Sequence, residues 1–444
     1  MGLKIFLNII FLLVYVIMMT IMIIFERDKP RRILLWSVVF LLTNALGYLT
    51  YLLLRLMTNN KRKALYIKQA EDEIYEKLIS SKYQGRKANA QNEVFKFAEL
   101  AFNSNTTANN SFDFFSSYVK AKEQLAKDLK NAKQRIVCEA SKINAEDFDQ
   151  IKTILMEKAR NNVLVKFVYD RGISRKFIKA LKSAGVRVYK FSKLRTCCST
   201  YANLRNIVSI DGKVVWLGNF DISKKQLISK TDMVNSYTRI MGDVVQEIDV
   251  DLHQDAVFAG GKFIKFMEHT NDIKNNSLMQ YVSNEVESEM KLLIIKAICS
   301  AKSSIQLQVD KFIPTESVMS LLKFAINSNI DVRLMIPMKS NRHGKVYASR
   351  AYAKELALMG ANVYLYDGYI TANSIVVDNE YVISGDFTMD RAQIGTNLQN
   401  FVLISDEKAT AYYNKLFDDA VNNSYRINNA KFMLGKEKFF RNFE

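Results

Sequence analysis

Histidine and cysteine are scarce in this 444-residue chain, with three of the first and four of the second. Cys138, Cys197, Cys198 and Cys299 are too few and too scattered for a disulfide framework, which points to a reducing compartment. The vicinal pair Cys197-Cys198 lacks metal-ligand spacing, and His253, His269 and His343 do not supply a set either. No metal and no cofactor are expected. Acidic residues are also in deficit: 45 Asp and Glu stand against 63 Lys and Arg, a formal net charge of +18. That balance favours a polyanionic partner, either nucleic acid or the anionic face of a membrane.

Apolar residues, by contrast, open the chain in two long runs. "IFLNIIFLLVYVIMMTIMIIF" covers Ile5 to Phe25, and "ILLWSVVFLLTNALGYLTYLLL" covers Ile33 to Leu54. Each has the roughly 20 uncharged residues that a membrane helix requires. The first is too long for the core of a signal peptide, and "ERDKPRR" comes after it instead of a cleavage site. Residues 1–57 therefore read as a membrane anchor with two transmembrane helices, about 5–25 and 33–54. Lys4, Arg55, Lys61, Arg62 and Lys63 lie on the terminal side, while Arg27, Lys29, Arg31 and Arg32 lie in the loop. This bias leans towards both termini in the cytoplasm. A multi-pass protein of the cell membrane is expected, with its later domains cytoplasmic and facing anionic phospholipid.

Residues 58–102 are charged and helix-forming and read as a juxtamembrane connector. "NSNTTANNS", Asn103 to Ser111, is a polar loop and marks the boundary of the globular part. An internal repeat organises the rest of the chain. "NAKQRIVCEASKI" from Asn131 parallels "SAKSSIQLQVDKF" from Ser300, and "VLVKFVYD" from Val163 parallels "IDVRLMIP" from Ile330. "ALKSAGVRVYKF" from Ala180 parallels "ELALMGANVYLY" from Glu355, with each helix stopping at a glycine, Gly185 or Gly360. Last, "ANLRNIVSIDGK" from Ala202 matches "YITANSIVVDNE" from Tyr369. Asn206, Asp211, Gly218 and Phe220 correspond to Asn373, Asp378, Gly385 and Phe387, all at an offset of 167. Alternating strands and helices with buried strands imply two tandem α-β-α sandwich domains with mixed sheets, 103–267 and 275–440. Tandem copies commonly place a site at their seam.

The order and wording of these units resemble a bacterial cardiolipin synthase of the phospholipase D superfamily, over nearly the whole chain. "SNRHGKVYASRAYAKELALMGANVYLYDG" reads like the segment before that family's second signature. The signature is His-x-Lys, four residues, Asp, six residues, then Gly-Ser or Gly-Gly. In the family one histidine attacks phosphorus and the other protonates the leaving alkoxide, while the lysines neutralise phosphoryl oxygens.

Laid onto this chain, the resemblance puts Leu204 and Thr371 at the histidine positions and Asn206 and Asn373 at the lysine positions, keeping Asp211 and Asp378. Asn219, Phe220 and Asp221 come after the first glycine, and Asp386, Phe387 and Thr388 after the second. The acidic residue after each signature is replaced by Asn235 and Gln399. His343-Gly344-Lys345 has the spacing alone, without the aspartate, and reads as a loop residue. Asp211-Gly212 and Asp378-Asn379 suit two-residue hairpin turns, which accounts for the aspartates without catalysis.

The expectation is a membrane-anchored, catalytically inactive relative that binds phospholipid or serves as a regulatory or scaffold partner of an active synthase. The competing reading is a divergent phosphatidyltransferase or phospholipase D-type hydrolase using shifted groups such as His343 or Thr371. Nucleic-acid binding is disfavoured by the apolar runs and by the lack of aromatic-rich basic stretches.

Overall fold

A computed structural model describes residues 2–26, 30–43, 45–58, 88–89, 92–102, 104–141, 148–170, 173–191, 203, 205–218, 233–262, 273, 275, 277–284, 289–339, 343–391, 394 and 397–427. The chain divides into two compact units: residues 1–63 with 194–200, and residues 64–193 with 201–444.

In the N-terminal unit the first apolar run is one helix, Gly2–Glu26. Within the second run the structure describes helices Pro30–Thr43 and Ala45–Thr58, with residue 44 between them outside the described residues. The side chains of the first helix are described only from Leu13 to Phe25. Among the described residues, then, no helix is long and apolar enough to cross a membrane, and the expectation of two spans is not met by them. The unit's core is small, Met22, Phe40 and Tyr51, bordered by Trp36 and Tyr48. Around it Ile24, Leu34, Leu41, Leu42 and Leu46 are exposed.

The larger unit contains two sheets. Seven strands form the first, in the order Asn110–Phe115, Tyr237–Gly242, Val214–Leu217, Asn206–Ile210, Arg135–Ala140, Leu164–Tyr169 and Arg187–Lys190. The last three are mutually parallel and the rest antiparallel, so the sheet is mixed. Helices Tyr118–Asn131, Asp149–Arg160 and Arg175–Ser183 cover one face through Leu125, Leu155 and Leu181.

The second sheet has nine strands, with the parallel trio Ser304–Gln308, Asp331–Pro337 and Asn362–Tyr366 in the places of the first sheet's trio. Helices Glu289–Ser300, Glu316–Asn327 and His343–Leu358 lie on the outer side of that sheet.

The inner faces of both sheets share a core. Val137, Ile207 and Val215 of the first half cluster with Val376, Val382 and Val402 of the second, together with Val245 and Tyr413 from helices Val244–Phe258 and Glu407–Val421. This core is the seam between the halves.

Two features depart from the boundary read at residue 103. Thr106–Thr107 pairs with the edge of the nine-stranded sheet, against Gln280 and Met279. Helix Glu93–Phe102, read as charged connector, buries Val94, Phe95 and Ala98 in the outer core of the second half. Phe97 and Phe102 also pack against that core, and with seven apolar residues in ten the helix shows no distinct apolar stripe in sequence.

Candidate functional site

Each half sends one repeated hairpin through the middle of its sheet and into the seam. The strand Asn206–Ile210 turns at Asp211 and Gly212, with φ of 53° and 64°; Ser374–Val377 turns at Asp378 and Asn379, with φ of 52° and 55°. Positive φ at both central residues is the preference of Asp-Gly and Asp-Asn. Pairing resumes at Val214 and Tyr381, which leaves three residues between paired positions, where two were expected.

The aspartates also do more than turn. Asp211 accepts the backbone N–H groups of Lys133, Gln134 and Arg135, each at 2.8 Å. Asp378 accepts those of Lys302, Ser303 and Ser304 at 2.7–2.8 Å, and the Ser303 hydroxyl at 2.8 Å. Each carboxylate thus caps the start of the neighbouring central strand. Burial alone would raise the Asp378 pKa, but these donors outweigh it and hold the carboxyl below the ordinary aspartate range.

The approach to each hairpin pairs with the opposite half. Ile370 pairs in parallel with Val234, and its repeat counterpart Asn203 bridges to Leu398. The polar positions just beyond are thereby held at the seam. Thr371 donates its hydroxyl to Asn235 Oδ1 at 2.5 Å. Asn373 accepts from the Asp310 N–H at 2.7 Å and donates through Nδ2 to the Phe387 carbonyl at 2.6 Å. Asn206 accepts from the N–H and hydroxyl of Ser141 at 3.3 and 3.4 Å, while its own N–H donates to Asp386 Oδ2 at 2.7 Å. Tyr413 closes the centre, its hydroxyl 2.5 Å from Ser384 Oγ and 3.0 Å from Ser236 Oγ. The cavity between Thr371, Asn373, Asp386 and Gly218 has about 10 Å³ of free space, room for about one water molecule.

The signature glycines have packing reasons. A Cβ on Gly385 would lie 2.4 Å from the Asn400 carbonyl oxygen, and one on Gly218 would lie 2.8 Å from the Tyr237 ring.

Two groups in or beside the seam are under electrostatic stress. Half-buried Asp386 loses solvation, which pushes its pKa up to about 7 against the opposing bond from Asn206. Among the described residues, fully buried Gln399 has no hydrogen-bond partner on either side-chain atom, and neither does its neighbour Asn400.

Comparison with known proteins agrees with this architecture. The family model described as cardiolipin synthase, PLD-like domain, matches residues 294–421. The major cardiolipin synthase of Bacillus subtilis is 29% identical over 422 residues, covering 88% of this chain and 87% of that protein. A cardiolipin synthase of Alkalihalophilus pseudofirmus is 27% identical over 454 residues, covering 96% and 89%. The chain is a cardiolipin synthase-like protein of the phospholipase D superfamily. Its fold is also that of phosphatidylserine synthase from Haemophilus influenzae, with a TM-score of 0.58 at 12% identity, covering 79% of this chain and 97% of the other.

In this cardiolipin synthase-like chain Leu204, Asn219, Phe220, Asp221 and His269 lie outside the described residues. His343 is not in a loop: it begins helix His343–Leu358, and Lys345 on that helix is ion-paired with Asp390. His253 is buried, its Nδ1 2.7 Å from the Asp249 carbonyl, and burial lowers its pKa. Cys138 is buried and Cys299 exposed, both free. Among the described residues no group of His, Cys, Asp and Glu is arranged to hold a metal.

Sequence reasoning missed Tyr413, Ser384 and Ser236, which look like ordinary strand and helix residues. It also missed a buried charge network beside the first hairpin. Arg205 pairs with Asp255 at 2.7 Å and Asp251 at 3.1 Å, Tyr281 donates to Asp251, and Asn203 donates to Glu139. Desolvation, then Asp255, drives the Glu139 pKa well above its ordinary value. The available signal was the run Asp249-Val-Asp251-Leu-His253-Gln-Asp255, which spreads acidic groups around a helix whose Val245, Ile248 and Leu252 bury it.

Proposed function

We propose that this chain is a membrane-anchored, cardiolipin synthase-like protein that no longer carries out phosphatidyl transfer at its signature positions. It acts instead through phospholipid binding and as a regulatory or scaffold partner of an active synthase. The observation that carries this reading is the closed seam. Asn206, Thr371 and Asn373 are engaged by neighbours of the same chain, and among the described residues the space beside Thr371 and Asn373 holds about one water molecule. A phosphodiester does not fit there without rearrangement. Thr371 hydrogen-bonds an amide, which has no basicity to activate a hydroxyl nucleophile.

Anchoring is supported by the N-terminal apolar runs and by the exposed leucines and isoleucines of that unit, which water would leave uncovered. The net charge of +18 fits an anionic cytoplasmic leaflet and so the cell membrane, with the two sheets on the cytoplasmic side. The test of the partner role is the rate of an intact cardiolipin synthase in proteoliposomes, with and without this chain at fixed surface density. A changed rate is expected. An unchanged rate sinks the regulatory role.

A second reading, a divergent phosphatidyltransferase or hydrolase, is supported by the relatives' names and by Asp386. A seam carboxyl with a pKa near 7 is suited to proton transfer at neutral pH. It needs a nucleophile from elsewhere in the chain, and trapping a covalent phosphoprotein with labelled lipid would favour it.

A further inference from the structure

We infer that helix Arg175–Ser183 and the adjoining edge strand Arg187–Lys190 form a docking face for an anionic phospholipid bilayer. Arg175, Lys176, Lys179, Lys182, Arg187 and Lys190 are all exposed, and residues 173–190 contain no Asp or Glu. Among the described residues none of the six is paired with a carboxylate, whereas Lys152, Lys296, Lys323 and Arg333 elsewhere all are. The helix keeps Phe177 and Leu181 buried on its other side, so the cations stand on a rigid element.

The internal repeat supplies a control for what the fold itself demands. The matching segment of the second half, Arg350 to Leu365, has Ala351, Ala357, Asn362 and Leu365 where the first half has Lys176, Lys182, Arg187 and Lys190. Where the first half has neutral Ala180, the second has Glu355, paired with Lys323. The second half keeps Arg350 and Lys354 at the places of Arg175 and Lys179, so the same helix-strand unit folds without the other four cations. Protection of an open sheet edge accounts for Arg187 and Lys190. It does not account for Lys176 and Lys182 on the helix, which add to the shared pair and leave the first half with four cations there and no acid.

Charge complementarity points to a surface of dense negative charge, and a bilayer suits this face better than nucleic acid. Phe177 is buried and Tyr189 half-buried, so the face presents no free ring on which a base could stack. Each Lys or Arg near an anionic leaflet adds attraction that falls off within a Debye length. The face is thus an electrostatic contact that salt weakens. This inference rests on the membrane association proposed above.

The test is lysine acylation footprinting of the full chain in nanodiscs, read residue by residue by mass spectrometry. Discs of phosphatidylcholine alone are compared with discs containing phosphatidylglycerol, at low and high salt. Lys176, Lys179, Lys182 and Lys190 are expected to react at least about fivefold more slowly on the anionic discs, recovering at high salt. The exposed lysines Lys302 and Lys408 of the second half should keep their rates. A K176E/K179E/K182E variant should lose the protection of Lys190. Equal rates in the two discs overturn the inference while leaving anchoring intact. Protection by an added oligonucleotide but not by phosphatidylglycerol overturns it in favour of nucleic acid. A chain that associates with neither disc overturns both this face and the anchoring it rests on.

Discussion

At Asp378 a single carboxylate gathers three backbone N–H groups and a hydroxyl at the start of the strand Ser304–Gln308, and Asp211 gathers three at the matching strand. Asp378→Ala should therefore cost about 1–2 kcal/mol in denaturant unfolding, as loss of a capping residue does. Because its folded pKa is depressed, the Asp378 contribution is present above the ordinary aspartate value and is lost as pH falls through the lower folded value.

Asp386 runs the opposite way. With a folded pKa of about 7, the native state holds a proton that the unfolded chain releases, so stability declines as pH rises from the ordinary aspartate range to about 7. Thermal unfolding of the full chain at pH 5 and pH 8 checks this. Asp386→Asn should gain on the wild type at the higher pH and not at the lower. Gln399 offers a third single-residue test. Both its amide atoms are buried without partners among the described residues, so Gln399→Met should raise stability by about 1 kcal/mol in the same unfolding assay.

Elements of secondary structure were legible in proportion to how much local pattern they carry. The offset of 167 placed both hairpins correctly, because positive φ at Asp211, Gly212, Asp378 and Asn379 selects the same few residue types twice. Gly185 and Gly360, also at positive φ, ended their helices as read. Helix Glu93–Phe102 was illegible because its docking partners lie some 200 positions downstream, in helix Glu289–Ser300 and its neighbours. Phe95 is fully buried there and stacks edge-on to Tyr381. Phe95→Ala should cost about 3–5 kcal/mol in unfolding, a loss that a solvated connector would not show. Helix Val244–Phe258 escaped for the converse reason. Its buried Asp249 and Asp255 are paired by Arg135, Arg205 and Ser209, which only the folded sheet brings to it.

Across the whole molecule, the candidate site could be located in sequence but not its state. The repeat showed where Asn206, Thr371 and Asn373 stand in line; only the fold shows that Asn235, Asp310, Phe387 and Tyr413 occupy the space around them. The retained residues of each signature, aspartate and glycine, are those with turn, cap or packing roles, and the altered ones are those the resemblance assigns to chemistry. The proposed loss of phosphatidyl transfer from a retained frame is checked by supplying purified full chain with phosphatidylglycerol vesicles and measuring cardiolipin over time. No product above protein-free vesicles is expected. Cardiolipin formed at a rate that drops on Thr371→Ala or Asp386→Asn would contradict it.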